Sequence, residues 1–245
     1  MAIIISEPVL PSITFFADAS SRNRDFPVAG GFAVSGNRIS EVEDTIAFLR
    51  DDAGMRSEFH WAEYRGGDKR PAYEALVRYA FALVRRRHAA LHLIIPRFKG
   101  YPHKAKQGEN RDTSLSRMYY QLCLHRIAAF YGRTREIHIR LDSGNDCKGI
   151  CSMRNELCAD AYHKHSTRPN CVRTIEPMGS HNSGIIQMAD VIIGAVAAKR
   201  NGVQHTSPKG DLASLVLQMS NRPAWDIDTP ASARFLTVWN HRSKR

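Results

Sequence analysis

The sequence predicts an α/β fold in which helices flank one mixed β-sheet. The first two predicted strands follow one another directly, whereas the later strands alternate with helices, and this order is typical of mixed sheets. The 245 residues are 43% hydrophobic and 24% charged, a composition that indicates a globular protein and excludes a largely disordered chain. At this length a fold buries enough surface to be stable without a disulfide framework.

The N-terminal part predicts a β-hairpin followed by a helix. Residues 13–18 (ITFFAD) are rich in aromatic and β-branched side chains and lead into a polar turn, which is typical of a strand. Residues 28–34 (VAGGFAV) predict the returning strand of the hairpin. Residues 41–50 have the apolar spacing of a short amphipathic helix. Residues 58–61 are expected to form a brief strand or a sheet edge.

The rest of the chain alternates between helical and strand periodicity, and its last part mixes proline, glycine, serine and charged residues. We expect one domain over residues 1–200 and a small C-terminal appendage, residues 201–245, packed on the same domain. The predicted helices cover residues 71–88, 113–131, 146–165 and 183–199, and the predicted strands cover residues 90–96, 137–141 and 172–175.

The cysteine content and the lack of long apolar segments favour a reduced cytoplasmic protein. The five cysteines are an odd number, and the sequence shows neither a signal segment nor an apolar run of the roughly 18 residues that a membrane span needs. Cys147, Cys151 and Cys158 have helical spacing without a paired Cys-x2-Cys motif. The sequence therefore favours buried small side chains over a zinc site at these positions.

The charge balance favours a polyanionic partner, which we expect to be nucleic acid. Lysine and arginine number 35 against 24 aspartate and glutamate residues, for a net charge of +11. The excess is concentrated between residues 97 and 117, and Arg85, Arg86 and Arg87 precede it. The alternative is a basic surface that serves only solubility.

Three aspartates are the candidates for chemistry. Asp18 and Asp142 each end a predicted strand, and ligands of open α/β sheets bind at that edge. Either one alone is equally well explained as a turn or capping residue. Asp190 lies in a helix that is apolar nearly all round, so its carboxylate requires a metal ion, a basic partner or a bound proton.

A fourth acid and a histidine complete the candidate site. Glu63 is preferred over Glu58 because it leads into a Gly-Gly turn that would present it at a sheet edge, although surface charge explains either one. His181 lies nine residues before Asp190 in a glycine- and serine-containing loop. It would orient a water, contact a phosphate or transfer a proton, and its alternative, like that of His60, is an exposed loop histidine.

An oxygen-only ligand set indicates the type of metal. Carboxylates without dedicated cysteines favour Mg²⁺ or Mn²⁺ over Zn²⁺. Two such ions about 4 Å apart hold the attacking water and the leaving oxygen in phosphodiester hydrolysis. The basic surroundings would attract the phosphate backbone to this acidic cluster.

Four segments resemble a bacterial and phage family called domain of unknown function 3800. They are FFADAS at residues 15–20, EFHWAE at residues 58–63, RLDSGND at residues 140–146 and SHNSGIIQMADVIIGAV at residues 180–196. Together they span most of residues 13–200. The last segment is the most specific, because it places Gln, a small residue, Asp and Gly on one apolar helix.

The resemblance implies a ribonuclease H-like fold. Enzymes with this fold place acidic residues on the first strand, a helix, the end of a later strand and the final helix, and coordinate two Mg²⁺ there. By resemblance, Asp18, Asp142 and Asp190 take the first, third and fourth of these roles. The second role is open between Glu63 and Glu58. The first family motif often reads Asp-Glu-Ser, whereas alanine follows the aspartate here.

We therefore expect a nuclease that hydrolyses nucleic acid with two Mg²⁺ or Mn²⁺ ions. The alternative is a nucleic-acid-binding or protein-interaction module on an inactive ribonuclease H-like fold. The expected metal ligands are Asp18, Glu63, Asp142 and Asp190, with His181 as a further catalytic candidate.

Overall fold

The computed structural model describes residues 10–103, 107, 109–143, 147–202 and 207–242. Six strands form one sheet with the order β5-β4-β1-β2-β3-β6. β1 pairs with β2 and β2 with β3 in antiparallel fashion, whereas β4, β5 and β6 join by parallel pairing. The predicted mixed sheet is confirmed. Its strands are β1 (Ser12–Ser20), β2 (Val28–Ser35), β3 (Ala89–Ile94), β4 (Glu136–Asp142), β5 (Val172–Met178) and β6 (Leu236–Trp239).

Helices cover both faces of the sheet, as the sequence predicts. A π-helical segment, Cys123–Ala128, joins two of them into the long helix expected over residues 113–131. The helices are α1 (Ile39–Asp52), α2 (Arg70–Arg85), α3 (Arg111–Leu122), α4 (Ala129–Tyr131), α5 (Cys147–Cys151), α6 (Arg154–His165), α7 (Gly184–Arg200) and α8 (Pro208–Met219).

Two local predictions are wrong. The helix expected over residues 146–165 is broken at Ser152 and Met153, where the Ser152 hydroxyl donates to the Gly149 carbonyl and the backbone turns between α5 and α6. Asp146, the expected start of that helix, lies outside the described residues.

Residues 58–61 form a loop and not a strand. The backbone N–H groups of residues 59–61 donate to the side chains of Gln187, Tyr73 and Asp190. Backbone donors that are satisfied by side chains in this way need no neighbouring strand. The tertiary environment therefore overrides the strand propensity of this segment.

Each face of the sheet has its own hydrophobic core. Phe16 and Phe32 point to the face covered by α1, α2, α7 and α8, whereas Phe15 and Ala17 point to the face covered by α3 and α6. The alternation follows from the two-residue period of a strand. β1 is consequently buried on both sides, which explains its continuous apolar sequence.

Residues of the expected C-terminal appendage contribute to the same core. In α8, Leu212 and Val216 are buried beside α7 and α2. In β6, Val238 is buried, and this strand forms the sheet edge next to β3. The C-terminal part thus completes the sheet and covers the helix that carries Asp190.

Most of the described cysteines are buried thiols. Cys123, Cys158 and Cys171 are buried free thiols, while the side chain of Cys147 lies outside the described part of the chain. Burial alone raises the pKa of Cys123 above its ordinary value. In the described ranges no helix has the length and apolar character to cross a bilayer.

Candidate active site

Asp18 and Asp142 lie side by side on neighbouring strands. In the parallel pairing of β1 with β4, Ala17 is opposite Leu141, so the next residues are Asp18 and Asp142. Both therefore point to the face of the sheet that Phe16 shares with α7. Asp142 is the last residue of β4, and only 9% of the Asp18 side chain is exposed. Asp142 thus ends its strand as expected, whereas Asp18 lies two residues before the end of β1.

The third aspartate, Asp190, is placed by α7, which packs across β1 and β2. Ser183 caps this helix by accepting from the Ile186 N–H at 3.3 Å. Glu43 of α1 adds a second cap, because its carboxylate accepts from the Ser183 hydroxyl at 2.7 Å and from the Gly184 N–H at 2.6 Å. A carboxylate at this end also stabilises the helix dipole. The N-terminus of α7 is therefore fixed to α1.

A loop across α7 supplies the partners of Asp190. The Asp190 Oδ2 atom accepts a hydrogen bond from the His60 ring Nδ1 at 2.6 Å and another from the Trp61 N–H at 2.7 Å. The Trp61 ring lies on Gly194, where a Cβ atom would come within 2.2 Å of the ring. A glycine at this position on α7 is therefore what allows the loop to approach so closely.

The carboxylate of Asp190, which lies in an apolar helix, has hydrogen-bond partners from outside that helix. Asp190 is 13% exposed, and within the described ranges its hydrogen-bond partners are a histidine and a backbone amide. His60 lies 130 residues away in sequence, and its hydrogen bond to Asp190 is the first cause that raises the pKa of its ring. The sequence favoured His181 over His60 as the catalytic histidine, and His60 was not among the expected site residues. The only signal was its position in the EFHWAE segment.

The three aspartates act on one another electrostatically. Burial raises the pKa of the Asp18 carboxyl well above its ordinary value, and the charges of Asp190 and Asp142 raise it further. The Ala19 N–H donates to Asp18 Oδ1 at 2.6 Å and Arg22 lies 3.9 Å from the same oxygen, but they offset only part of this effect. Burial and the charge of Asp190 likewise raise the pKa of Asp142. The carboxyl-terminal parts of β1 and β4, together with α7, therefore bring acidic side chains close together in a partly buried space.

The candidates for a fourth ligand occupy different positions. Glu63 is exposed, and its charge contributes to the raised pKa of His60. Glu58 is half-buried and accepts a hydrogen bond from the Ser180 hydroxyl at 2.9 Å. Glu63 therefore lies beside the Asp190 partners, while Glu58 connects the loop to the approach of α7.

His181 is exposed in the short helix Ser180–Asn182 that precedes α7, with its ring close to Gly179. No contact within the described ranges joins its ring to the three aspartates. The structure thus places His60, and not His181, in direct contact with the acidic group.

The donor chemistry at this edge fits a hard cation. The hydrogen bonds to Asp18 engage Oδ1, and those to Asp190 engage Oδ2, so that each keeps one oxygen to which no described donor is hydrogen-bonded. Free carboxylate oxygens are the ligands that Mg²⁺ and Mn²⁺ prefer. Over the described residues, no three His, Cys, Asp or Glu side chains are already close enough together to surround one ion.

Part of the basic stretch serves the structure. Arg111 donates from Nε to the Arg22 carbonyl at 2.5 Å and lies over the Phe98 ring at 5.1 Å. Arg117 is paired with Glu109. These arginines hold loops in place. Lys104 and Lys106, which belong to the same stretch, lie outside the described residues.

This chain has low similarity to known proteins. No protein-family model matches the sequence, and no curated protein matches it. Among solved structures, the chain is similar to a chain in the PCNA:RNase HII complex from Archaeoglobus fulgidus. That similarity has a TM-score of 0.40 at 12% identity, over 76% of this chain and 72% of the other.

Proposed function

We propose that this protein is a metal-dependent nuclease related to the domain of unknown function 3800 family. The observation that carries the proposal is that Asp18 and Asp142 lie on neighbouring strands and that the charge of Asp190, from α7, raises the pKa of both. The three aspartates lie on the first strand, at the end of a later strand and on α7, the last helix of residues 1–200. These are the positions that the family resemblance implies. Burial and the charge of Asp190 raise the pKa of the Asp18 and Asp142 carboxyls, and shifted pKa values of this kind are a feature of functional sites.

The chain's own residues would hold two Mg²⁺ or Mn²⁺ ions through these carboxylates. When bound, such ions supply an activated water and stabilise the leaving oxygen of the phosphodiester. His60 and the Trp61 amide fix Asp190 through Oδ2, which leaves Oδ1 available as a ligand. The exposed Glu63 beside His60 is the fourth ligand in this proposal, and Glu58 is its alternative.

Nucleic acid is the substrate class that the charge supports. The net charge of +11 favours a polyanion over the small neutral substrates of other hydrolases. A non-catalytic nucleic-acid-binding module is the second candidate. It is favoured by the observation that no three potential ligands in the described ranges already surround one point.

The deciding experiment is a cleavage assay on labelled single-stranded DNA, duplex DNA, RNA and an RNA–DNA hybrid, in Mg²⁺, Mn²⁺ or EDTA. We expect cleavage that requires the metal and falls by about 10³-fold or more in Asp190→Asn, because metal-assisted stabilisation of a transition state contributes several kcal/mol. Asp44→Asn, on the exposed surface of α1, is the matched control and should keep full activity.

Thermal unfolding separates the two candidates when no cleavage is seen. A ligand that binds only the folded protein raises its melting temperature. A rise with Mn²⁺ in the wild type that is absent from Asp190→Asn supports the metal site. Nucleic-acid binding with neither cleavage nor a metal-dependent rise would replace the nuclease by the binding module.

A further inference from the structure

Two cations lie near Asp190, whose charge acts on one of them, Lys209. The Lys209 ammonium donates to the Ala62 carbonyl at 2.9 Å, and Arg65 donates to the same carbonyl at 2.5 Å. Arg65 also donates to the Tyr64 carbonyl at 2.9 Å. Lys209 and Arg65, called the cation pair below, are thus held by one turn that directly follows His60 and Trp61.

The position of Lys209 is built by packing. Its ammonium lies 5.4 Å from the centre of the Trp61 ring, which in turn rests on α7. Pro208 packs against Gly66, where φ is +77° and a Cβ atom would lie 2.6 Å from the proline ring. The start of α8 is therefore fixed against the loop that holds Asp190.

The electrostatics of the cation pair call for an anion. Within the described ranges, no carboxylate oxygen lies within salt-bridge distance of either side chain. Burial and the charge of Arg65 lower the pKa of the Lys209 amine, whereas Asp190 acts in the opposite direction. Two cations that share one carbonyl repel each other, and a bound anion would relieve this repulsion.

We propose that the cation pair, Lys209 and Arg65, binds a backbone phosphate of nucleic acid next to the phosphodiester that lies at the three aspartates. This inference rests on the proposed function for its substrate class. A lysine and an arginine bind phosphate oxygens by charge-assisted hydrogen bonds. The pair lies beside Asp190, so that a strand contacting it continues into the acidic edge of the sheet. The C-terminal part of the chain then contributes a substrate contact in addition to its packing role.

Binding to short labelled oligonucleotides, measured by fluorescence anisotropy in EDTA, tests the cation pair independently of cleavage. For Lys209→Gln and for Arg65→Gln we expect Kd to rise about tenfold. The slope of log Kd against log salt should fall by about 0.7 to 0.9 for each variant, because each loses one phosphate contact. Lys209→Arg should keep most of the wild-type affinity.

Lys164→Gln is the charge-matched control, since Lys164 is an exposed cation on α6, on the other face of the sheet, where it is paired with Asp160. Circular dichroism and the melting temperature check that each variant is folded, and the exposed Arg65 provides a substitution outside the core. Affinity and salt slope equal to those of the control would overturn the proposal. So would a wild-type protein that binds no oligonucleotide.

The two proposals can fail separately. If the wild type binds but never cleaves, and the cation-pair variants bind more weakly, the phosphate contact stands and the nuclease does not. If cleavage requires metal while the variants bind and cleave like the control, the nuclease stands and the cation pair is a structural contact.

Discussion

The two faces of the sheet each bury a titratable side chain, and they surround it in opposite ways. On the α3 face, the ring of His92 in β3 is hydrogen-bonded through Nδ1 to the Thr237 hydroxyl at 2.8 Å and through Nε2 to the Tyr131 hydroxyl at 3.1 Å. On the α7 face, the described partners of Asp18 are the Ala19 N–H and an arginine 3.9 Å away, against the charges of Asp142 and Asp190.

This difference separates a structural group from a candidate functional one. Burial lowers the pKa of His92 to about 3, so the ring is neutral at physiological pH and both of its nitrogens have partners. Burial raises the pKa of Asp18, and the neighbouring aspartates add charge of the same sign, which the Ala19 N–H and Arg22 offset only in part. Burial of a polar group therefore does not indicate function by itself. A buried charge that the protein itself compensates only in part does indicate a functional site.

The largest expected effect is that of Asp18→Asn, which tests the functional side of the comparison. The amide removes one like charge from the cluster, so the melting temperature should rise by about 2–4 °C for each kcal/mol gained. Nuclease activity should fall by about 10³-fold or more. Differential scanning calorimetry and the cleavage assay measure the two effects. A destabilised variant with normal activity would contradict the assignment of Asp18.

The pH dependence of stability tests the structural side. His92 has a pKa of about 3 in the folded protein and about 6.5 in the unfolded chain. The unfolded state thus binds more protons between these values, and the contribution of His92 is complete above pH 6.5 and is lost as the pH falls. The loss is about 2 kcal/mol between pH 6.5 and 5. Urea unfolding at both pH values measures it.

The matched variant for this measurement is His92→Gln, which keeps hydrogen-bonding capacity but does not titrate in this range. Its free energy of unfolding should decrease less on acidification than that of the wild type. An equal decrease in both proteins would mean that His92 is not a buried neutral ring. The contrast with Asp18 would then disappear.

A smaller effect is expected at Glu43, which connects α1 to the N-terminus of the helix that carries Asp190. Glu43→Ala removes its hydrogen bonds to Ser183 and Gly184 and should cost about 1–3 kcal/mol in the free energy of unfolding. Glu41→Ala is the control, since it only breaks an exposed pair with Arg38 and should cost no more than about 1 kcal/mol. Equal losses in chemical unfolding would show that the contact does not anchor α7.

Local sequence patterns predict helices and strands correctly where a single periodicity of apolar side chains dominates the segment. The sequence of β1 is a continuous apolar run, that of β4 alternates between apolar and polar residues, and that of α7 is apolar on nearly all sides. Each segment folds accordingly. The prediction is wrong at residues 58–61, because the donors and acceptors that hold this loop come from distant parts of the chain. It is also wrong at Ser152, where a hydroxyl bond to the backbone competes with continuation of the helix.

The sequence by itself determined the mixed α/β fold and singled out Asp18, Asp142 and Asp190, because polar residues within apolar segments are costly and therefore conspicuous. Only the tertiary structure decided that His60 and Trp61 hold Asp190, that β6 completes the sheet, and that Lys209 stands beside Arg65. These contacts join residues more than 100 positions apart. No local periodicity encodes them, since they depend on how the helices and strands pack.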